Sequence, residues 1–333
     1  METSQEKLTS AEIGKLWATY TGNTMSRCVL KYYQQHVEDK EIENVLEDAL
    51  RLSESLIEQA KKFLTNEEFP LPKGFTDEDV NPGAPRLFLD EFYLHYLKYM
   101  GKAGMTIYSL AIPLASRMDI KIFFKDTLES TVDLLIKVDK VLMDKGYAVL
   151  PPVIPTPERI DFVKKQSYLT GFFGESRPVH ALEIAHFYDS IENDMASKAL
   201  LVGFSQVTSN ERIKEFFLRG RNITERHAKA CAAKLHQDNL PSHEYLDHLV
   251  TTSNVPPFSE KLMVSHKMEM FSMKIRSYAN AASLNGRRDI GAMYSRFLME
   301  NALYTEDAAN ILIDHGWLEQ IPQAVDRNDL ASP

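Results

Sequence analysis

Apolar residues recur along this chain at the three- and four-residue spacing of α-helices, and the whole pattern is written twice. A capping box at Thr9-Ser10-Ala11-Glu12 opens a first helix carrying Ile13, Leu16, Trp17 and Tyr20 on one stripe and ending near His36. A turn at Glu38-Asp39-Lys40 leads into a second, with Ile42, Val45, Leu46, Ala49, Leu52, Leu56 and Phe63 at helical spacing. An irregular piece rich in Pro, Gly and Asp follows. A third helix begins near Leu87 and carries Leu89, Phe92, Tyr93, Tyr96 and Met100; a fourth follows a break at Arg117-Met118-Asp119 and runs to Leu142. Gly146 is placed for a left-handed C-cap. The repeat predicts helices over 181–207, 210–236, 259–283 and 289–315, closed by Gly316.

The copies align residue by residue. Glu12-Ile13 falls on Glu183-Ile184 and Ile42 on Ile213, each 171 apart, while Met118-Asp119-Ile120 falls on Arg288-Asp289-Ile290, 170 apart. Three units follow: a first four-helix bundle over 1–150, an ordered junction over 151–178 and a second bundle over 179–333. Within each copy the first and last helix pairs are joined by short turns and should be antiparallel hairpins. The middle connections, Phe69 to Phe88 and Asn239 to Phe258, are about twenty residues long. Extended, they reach ~65 Å, against ~38 Å for a 25-residue helix, so each is able to run the length of its bundle. The predicted fold is all-α: two tandem ferritin-like four-helix bundles, each of two hairpins joined by a long crossover, with a simple up-down bundle as the alternative. In the junction, Pro151, Pro152, Pro155 and Pro157 predict a stiff extended start, and Glu158 to Gln166 two helical turns. Tyr168, Leu169, Phe172 and Phe173 are apolar enough to be expected between the bundles.

Composition narrows the function classes. At 333 residues, 44% hydrophobic and 26% charged, the chain reads as globular, and no apolar run approaches the ~18 residues of a membrane span. The N-terminus lacks a signal-peptide pattern, and the only two cysteines, Cys28 and Cys231, occupy non-equivalent positions, so an intracellular, cytoplasmic protein without a disulfide framework is expected. A net charge of −9 argues against nucleic acid as the main partner. Arg219, Arg221 and Arg226, interrupted by Glu225, read as a solvated helix face.

Candidate chemistry comes from positions where the copies differ. Leu56 becomes His227, Tyr96 becomes His266 and Ser130 becomes Glu300, each on an apolar stripe. With Glu183, all four helices of the second bundle would offer a metal donor, and Cys231 and Glu269 lie one turn beyond the two histidines. Carboxylate and imidazole together suit iron or manganese, and Glu183-Ile-Ala-His186 echoes the Glu-x-x-His of di-metal bundles. Yet His186 shares a face with Ser190 and Asn193, which reads as solvent-facing. In the crossover topology Glu183, His227 and Glu300 lie ~3, ~13 and ~16 Å from one end of the bundle and His266 ~28 Å, so only His227 and Glu300 are expected to meet. Glu183, equivalent to the capping Glu12, also has a structural reading, and a His227–Glu300 pair needs no metal. The methionines Met263, Met268, Met270 and Met273 read as core filling. No phosphate loop, Cys-x-x-Cys or cofactor-binding motif is present, and no catalytic residue is assignable.

Several segments carry a resemblance: Val163-Lys-Lys-Gln with Gly171-Phe-Phe-Gly174, Arg177-Pro-Val-His-Ala-Leu-Glu-Ile184, Pro257-Phe-Ser-Glu-Lys-Leu-Met263, Arg287-Arg-Asp289, and Gly316-Trp-Leu-Glu-Gln-Ile-Pro322 followed by Asp326-Arg327. They resemble a family of unknown function from spore-forming bacteria, tandem ferritin-like bundles distantly similar to ferritin-like spore coat proteins. The resemblance implies the fold over nearly the whole chain and no established reaction. Two function classes stay open. One is a structural or interaction protein, spore-associated by that analogy, with protein partners or self-association. The other is an iron- or manganese-dependent oxidase or metal-handling protein using the second bundle.

Overall fold

The computed structural model describes residues 7–172, 176–284, 286–327 and 330. Its elements are eight long helices in chain order: α1 (Ser10–His36), α2 (Lys40–Asn66), α3 (Asp90–Leu114), α4 (Met118–Asp144), α5 (Ala181–Val207), α6 (Glu211–Gln237), α7 (Glu260–Leu284) and α8 (Arg288–Asp314). Their ends follow from local chemistry. Thr9 and Glu12 form the predicted capping box, His180 and Glu183 form its counterpart on α5, and Asp39 and Asn210 cap α2 and α6. After α4 and α8 the chain turns at Gly146 (φ 73°) and Gly316 (φ 66°), in the left-handed region that favours glycine.

Each half is two antiparallel hairpins joined by a crossover. Ion pairs from α2 to α4 run in opposite chain directions, Asp39 to Lys145, Asp48 to Lys137 and Glu67 to Arg117. From α1 to α3, Tyr33 stacks on Tyr93 while Asn23 donates to the Tyr108 hydroxyl. Helices α2 and α3 are therefore parallel, and the segment between them travels the full length of the bundle, as the loop lengths predict.

The two crossovers hold the halves together around a pseudo-twofold axis. Val80 pairs with Phe258, and the equivalent pair, Phe88 with Val250, repeats the bridge with the copies exchanged. The flanking hydrogen bonds obey the same exchange: Asn81 N to Pro257 O mirrors Thr251 N to Leu87 O, and Ser259 N to Asp79 O mirrors Leu89 N to Leu249 O. Near the axis the equivalent residues Tyr96 and His266 meet, hydroxyl to Nε2, at 2.9 Å. This is the arrangement of an isologous dimer, here made by one chain. One apolar core crosses the boundary, taking Tyr33, Phe88 and Tyr96 from the first half and Phe204, Phe258 and Phe271 from the second. The symmetry is imperfect where packing demands it. Tyr32 lies edge-on to Phe258, whereas its counterpart Gly203 leaves room for Phe88, whose ring carbon would sit 2.7 Å from an added Cβ.

Two sequence expectations differ from the structure. Residues 158–165 are not helical, only Gln166–Leu169 forms a 3-10 turn, and Leu169 and Phe172 are 37% and 59% exposed; Phe173 lies outside the described residues. The halves already dock through their crossovers and through α3, α5 and α7, which leaves the junction no interface to fill. Ser190 and Asn193 are buried, not solvent-facing, because α5 is covered by its own bundle on one side and by α3 on the other, where Lys102 reaches Asp189, Glu192 and Asn193. Burial pushes the Glu192 carboxyl up, and Lys102 together with Lys98 outweighs that and holds it down to about 2.

Candidate functional site

The four residues nominated as metal donors are distributed over three places. Glu183 lies at the end of the second bundle, fully buried, with both carboxylate oxygens 2.7 Å from the Arg177 guanidinium and one accepting from His180 N. His266 lies on the pseudo-twofold axis against Tyr96. His227 and Glu300 do meet, Nε2 to Oε2 at 3.0 Å, and Arg226 shares the same carboxylate oxygen at 3.0 Å. Burial pushes the Glu300 carboxyl up, and its bonds to His227 and Arg226 outweigh that and hold it below its ordinary value. Among the described residues, no group of three or more His, Cys, Asp or Glu side chains is placed to hold a metal ion.

Behind His227 a buried polar chain fills the second bundle. The Tyr278 hydroxyl is 3.4 Å from His227 Nδ1 and 3.0 Å from both carboxylate oxygens of Asp194. Asp194 pairs with Lys274 at 2.8 Å, the two side chains 0% and 1% exposed, and Lys274 donates to Thr224 Oγ1. Burial depresses the Lys274 ammonium, and the adjacent Asp194 carboxylate opposes that effect. Two turns away Lys267 is also buried, donating to the Ser197 carbonyl and hydroxyl.

The first bundle is hollow at the corresponding place. The residues equivalent to Phe271, Lys274 and Tyr304 are Gly101, Gly104 and Leu134; Leu135 packs onto Gly101, 2.6 Å from an added Cβ, and the smaller side chains at this level leave a cavity of about 390 Å³. Its walls come from α1, α2, α3 and α4, including Trp17, Leu56, Leu97, Ile107 and Leu134. The side facing the other bundle is formed by α7, which contributes Ser265, Met268, Glu269, Ser272 and Arg276. Trp317, Leu318 and Ile321, just after α8, lie against it from outside. That strap is fastened by Glu319, whose carboxylate accepts from Lys73 N and Gly74 N at 2.8 Å each. Gly74 has φ 60°, and an added Cβ would sit 2.5 Å from Thr24 Oγ1, so the fastening depends on glycine there.

Comparison with known proteins places these two halves. A family described as "Protein of unknown function (DUF3231)" matches residues 1–160 and again 167–330. The chain belongs to the DUF3231 family. No curated protein matches it. A solved structure from Bacillus halodurans C-125, described as a "putative spore coat protein", is similar at 20% identity with a TM-score of 0.41, over 45% of this chain and 98% of its own.

The two DUF3231 copies have thus diverged in opposite directions at the same positions. Searching the second copy for polar residues finds His227, His266 and Glu300, and Glu269 by proximity. The complementary signal, glycine in the first copy opposite Phe271 and Lys274, lies in the same alignment and marks the cavity. Asp194 gives less warning, since its counterpart Asn23 is polar too.

Proposed function

We propose that this DUF3231 protein is a small-molecule-binding scaffold in which the first bundle encloses the ligand and the second, filled bundle serves as its rigid wall. The observation that carries the reading is the cavity at the level where the second copy places Phe271, Lys274 and Tyr304. At about 390 Å³ it falls in the ~300–1,000 Å³ range of small-molecule sites, and it is lined mostly by apolar groups with a few convergent polar ones. Gly104→Met tests it, because Gly104 lines the cavity from α3 and the tightest contact of an added Cβ is the Tyr108 ring carbon at 3.1 Å. The expected result is that a solvatochromic apolar dye binds the wild-type protein with a saturable blue shift and that the variant, unfolding as cooperatively as wild type, loses it. Equal binding by both proteins would overturn the reading.

A second reading, a structural or interaction protein working through protein partners or self-association, is favoured by the junction. Val153, Ile160 and Phe162 are 96%, 87% and 82% exposed, and an apolar strap of that kind suits burial against another surface. Its extension to a spore-associated role rests on the family resemblance. Light scattering over a concentration series checks it: a species heavier than one chain that Ile160→Ser with Phe162→Ser dissolves is expected, and a monomer throughout would count against self-association. The reading of the second bundle as an iron or manganese site has less support, since only two of its four donors come together.

A further inference from the structure

Two charged side chains from α7 face into the cavity, and neither is matched by the bundle that surrounds it. Glu269 is half-buried and faces the cavity beside Gly22, where an added Cβ would lie 3.9 Å from Oε2. Among the described residues it makes no hydrogen bond or ion pair. Arg276 lies two turns further along the same face, and its Nε is buried without a hydrogen-bond partner. The two are not in salt-bridge contact. A half-buried carboxylate and a half-buried guanidinium that leave each other unpaired each gain from a hydrogen-bonding partner placed in the cavity.

Together they sum to zero charge. A cationic ligand would compensate Glu269 and leave Arg276 facing an added positive charge, and an anionic one would do the reverse. A neutral group that both donates and accepts hydrogen bonds can serve the carboxylate and the guanidinium at once. Their second-copy pattern supports a dedicated role: the equivalent residues of the first copy are the uncharged Tyr99 and Thr106, and Tyr99 donates across the axis to the Met270 carbonyl at 2.6 Å.

Resting on the reading of the first bundle as a binding cavity, we propose that its ligand is an uncharged amphiphile, an apolar chain or ring system bearing one donor–acceptor head of the alcohol or primary amide type, with that head held between Glu269 and Arg276. The apolar body then occupies the space lined by Leu56, Leu97, Ile107 and Leu134, with hydroxyls at Thr21 and Ser53 along its path. Thr21 Oγ1 is itself buried without a partner.

Calorimetric titration of the full chain at pH 8.5 with 1-decanol, decanoate and decyltrimethylammonium distinguishes the possibilities, the two ions below their micelle concentrations and decanol below its solubility limit. The expected order has decanol binding at least about tenfold tighter than either ion, with Gly104→Met abolishing all three. Glu269→Gln should leave Arg276 as the uncompensated charge and move the preference to decanoate, and Arg276→Gln should move it to the ammonium. Circular dichroism and thermal unfolding establish that each variant is folded before it is titrated. If no probe binds wild-type protein, the cavity reading itself fails. If a charged probe binds best, or if the order is the same in all three proteins while Gly104→Met still blocks binding, the cavity stands and the head-group assignment is overturned.

Discussion

Replacing Lys274 by Met, or Asp194 by Asn, should each lower the unfolding free energy by about 3–5 kcal/mol, because each leaves a charge buried in the second bundle without its partner. The pair is 2.8 Å apart and closed off from water. After Lys274→Met the Asp194 carboxylate keeps only the Tyr278 hydroxyl; after Asp194→Asn the Lys274 ammonium keeps Thr224, the Phe271 ring face and a neutral amide oxygen, but no counter-charge. Against a total stability of roughly 5–15 kcal/mol for a domain, either loss is severe. The double variant should recover most of it, to within ~1 kcal/mol of wild type, since an apolar stem beside a neutral amide meets no Coulombic penalty. The first copy supports this, folding with Asn23 and Gly104 at the same two positions. Urea unfolding of all four proteins at pH 7 gives the coupling energy directly. Additive losses in the double variant would show that the two charges are independently solvated and that the core is wetter than its burial indicates.

The same comparison separates what was legible in the sequence from what was not. The eight helices, the Thr9–Glu12 capping box, Gly146 and Gly316 and the crossover topology depend on residues near one another in the chain, and apolar periodicity with loop length reports them. The pairing of His227 with Glu300 was also within reach, because helix rise and crossover topology together set their heights. The pseudo-twofold axis was not. It depends on Val80 finding Phe258 and Tyr96 finding His266, contacts between halves of the chain that no spacing rule connects. That missing interface explains the errors nearby. Without it α5 has a free face for Ser190 and Asn193, and the junction's Leu169 and Phe172 are the apolar groups left to join the halves. It also explains why Glu269, one turn from His266, belongs to the first bundle's cavity although it is encoded in the second copy.

Acidification should expose the cost of placing a histidine on that axis. Burial, reinforced by the nearby Lys267 ammonium, depresses His266 to about 3 from an ordinary 6.5. Between those values the unfolded chain binds a proton that the native protein does not, so stability is lost as pH falls from about 6.5 toward 3 and is unaffected by this group above 6.5. At ~1.4 kcal/mol per pH unit the full effect approaches ~4–5 kcal/mol. His266→Gln, which keeps a hydrogen bond to Tyr96 and cannot titrate, should be less stable than wild type at pH 8 and should overtake it by pH 4.5. Glu269 runs the other way. Burial raises it from 4.5 to about 7, with Arg276 opposing, so the native state holds a proton the unfolded chain has released and stability declines as pH rises through that window, by up to ~3 kcal/mol. Glu269→Gln should therefore gain on wild type between pH 4.5 and 7 and hold that advantage at pH 8. Urea unfolding of the three proteins across pH 4.5 to 8 reads both slopes as differences, in which the carboxylates common to all three cancel. A flat difference for His266→Gln would mean that the axis admits water, and a flat one for Glu269→Gln that the cavity's carboxylate is solvated like a surface group.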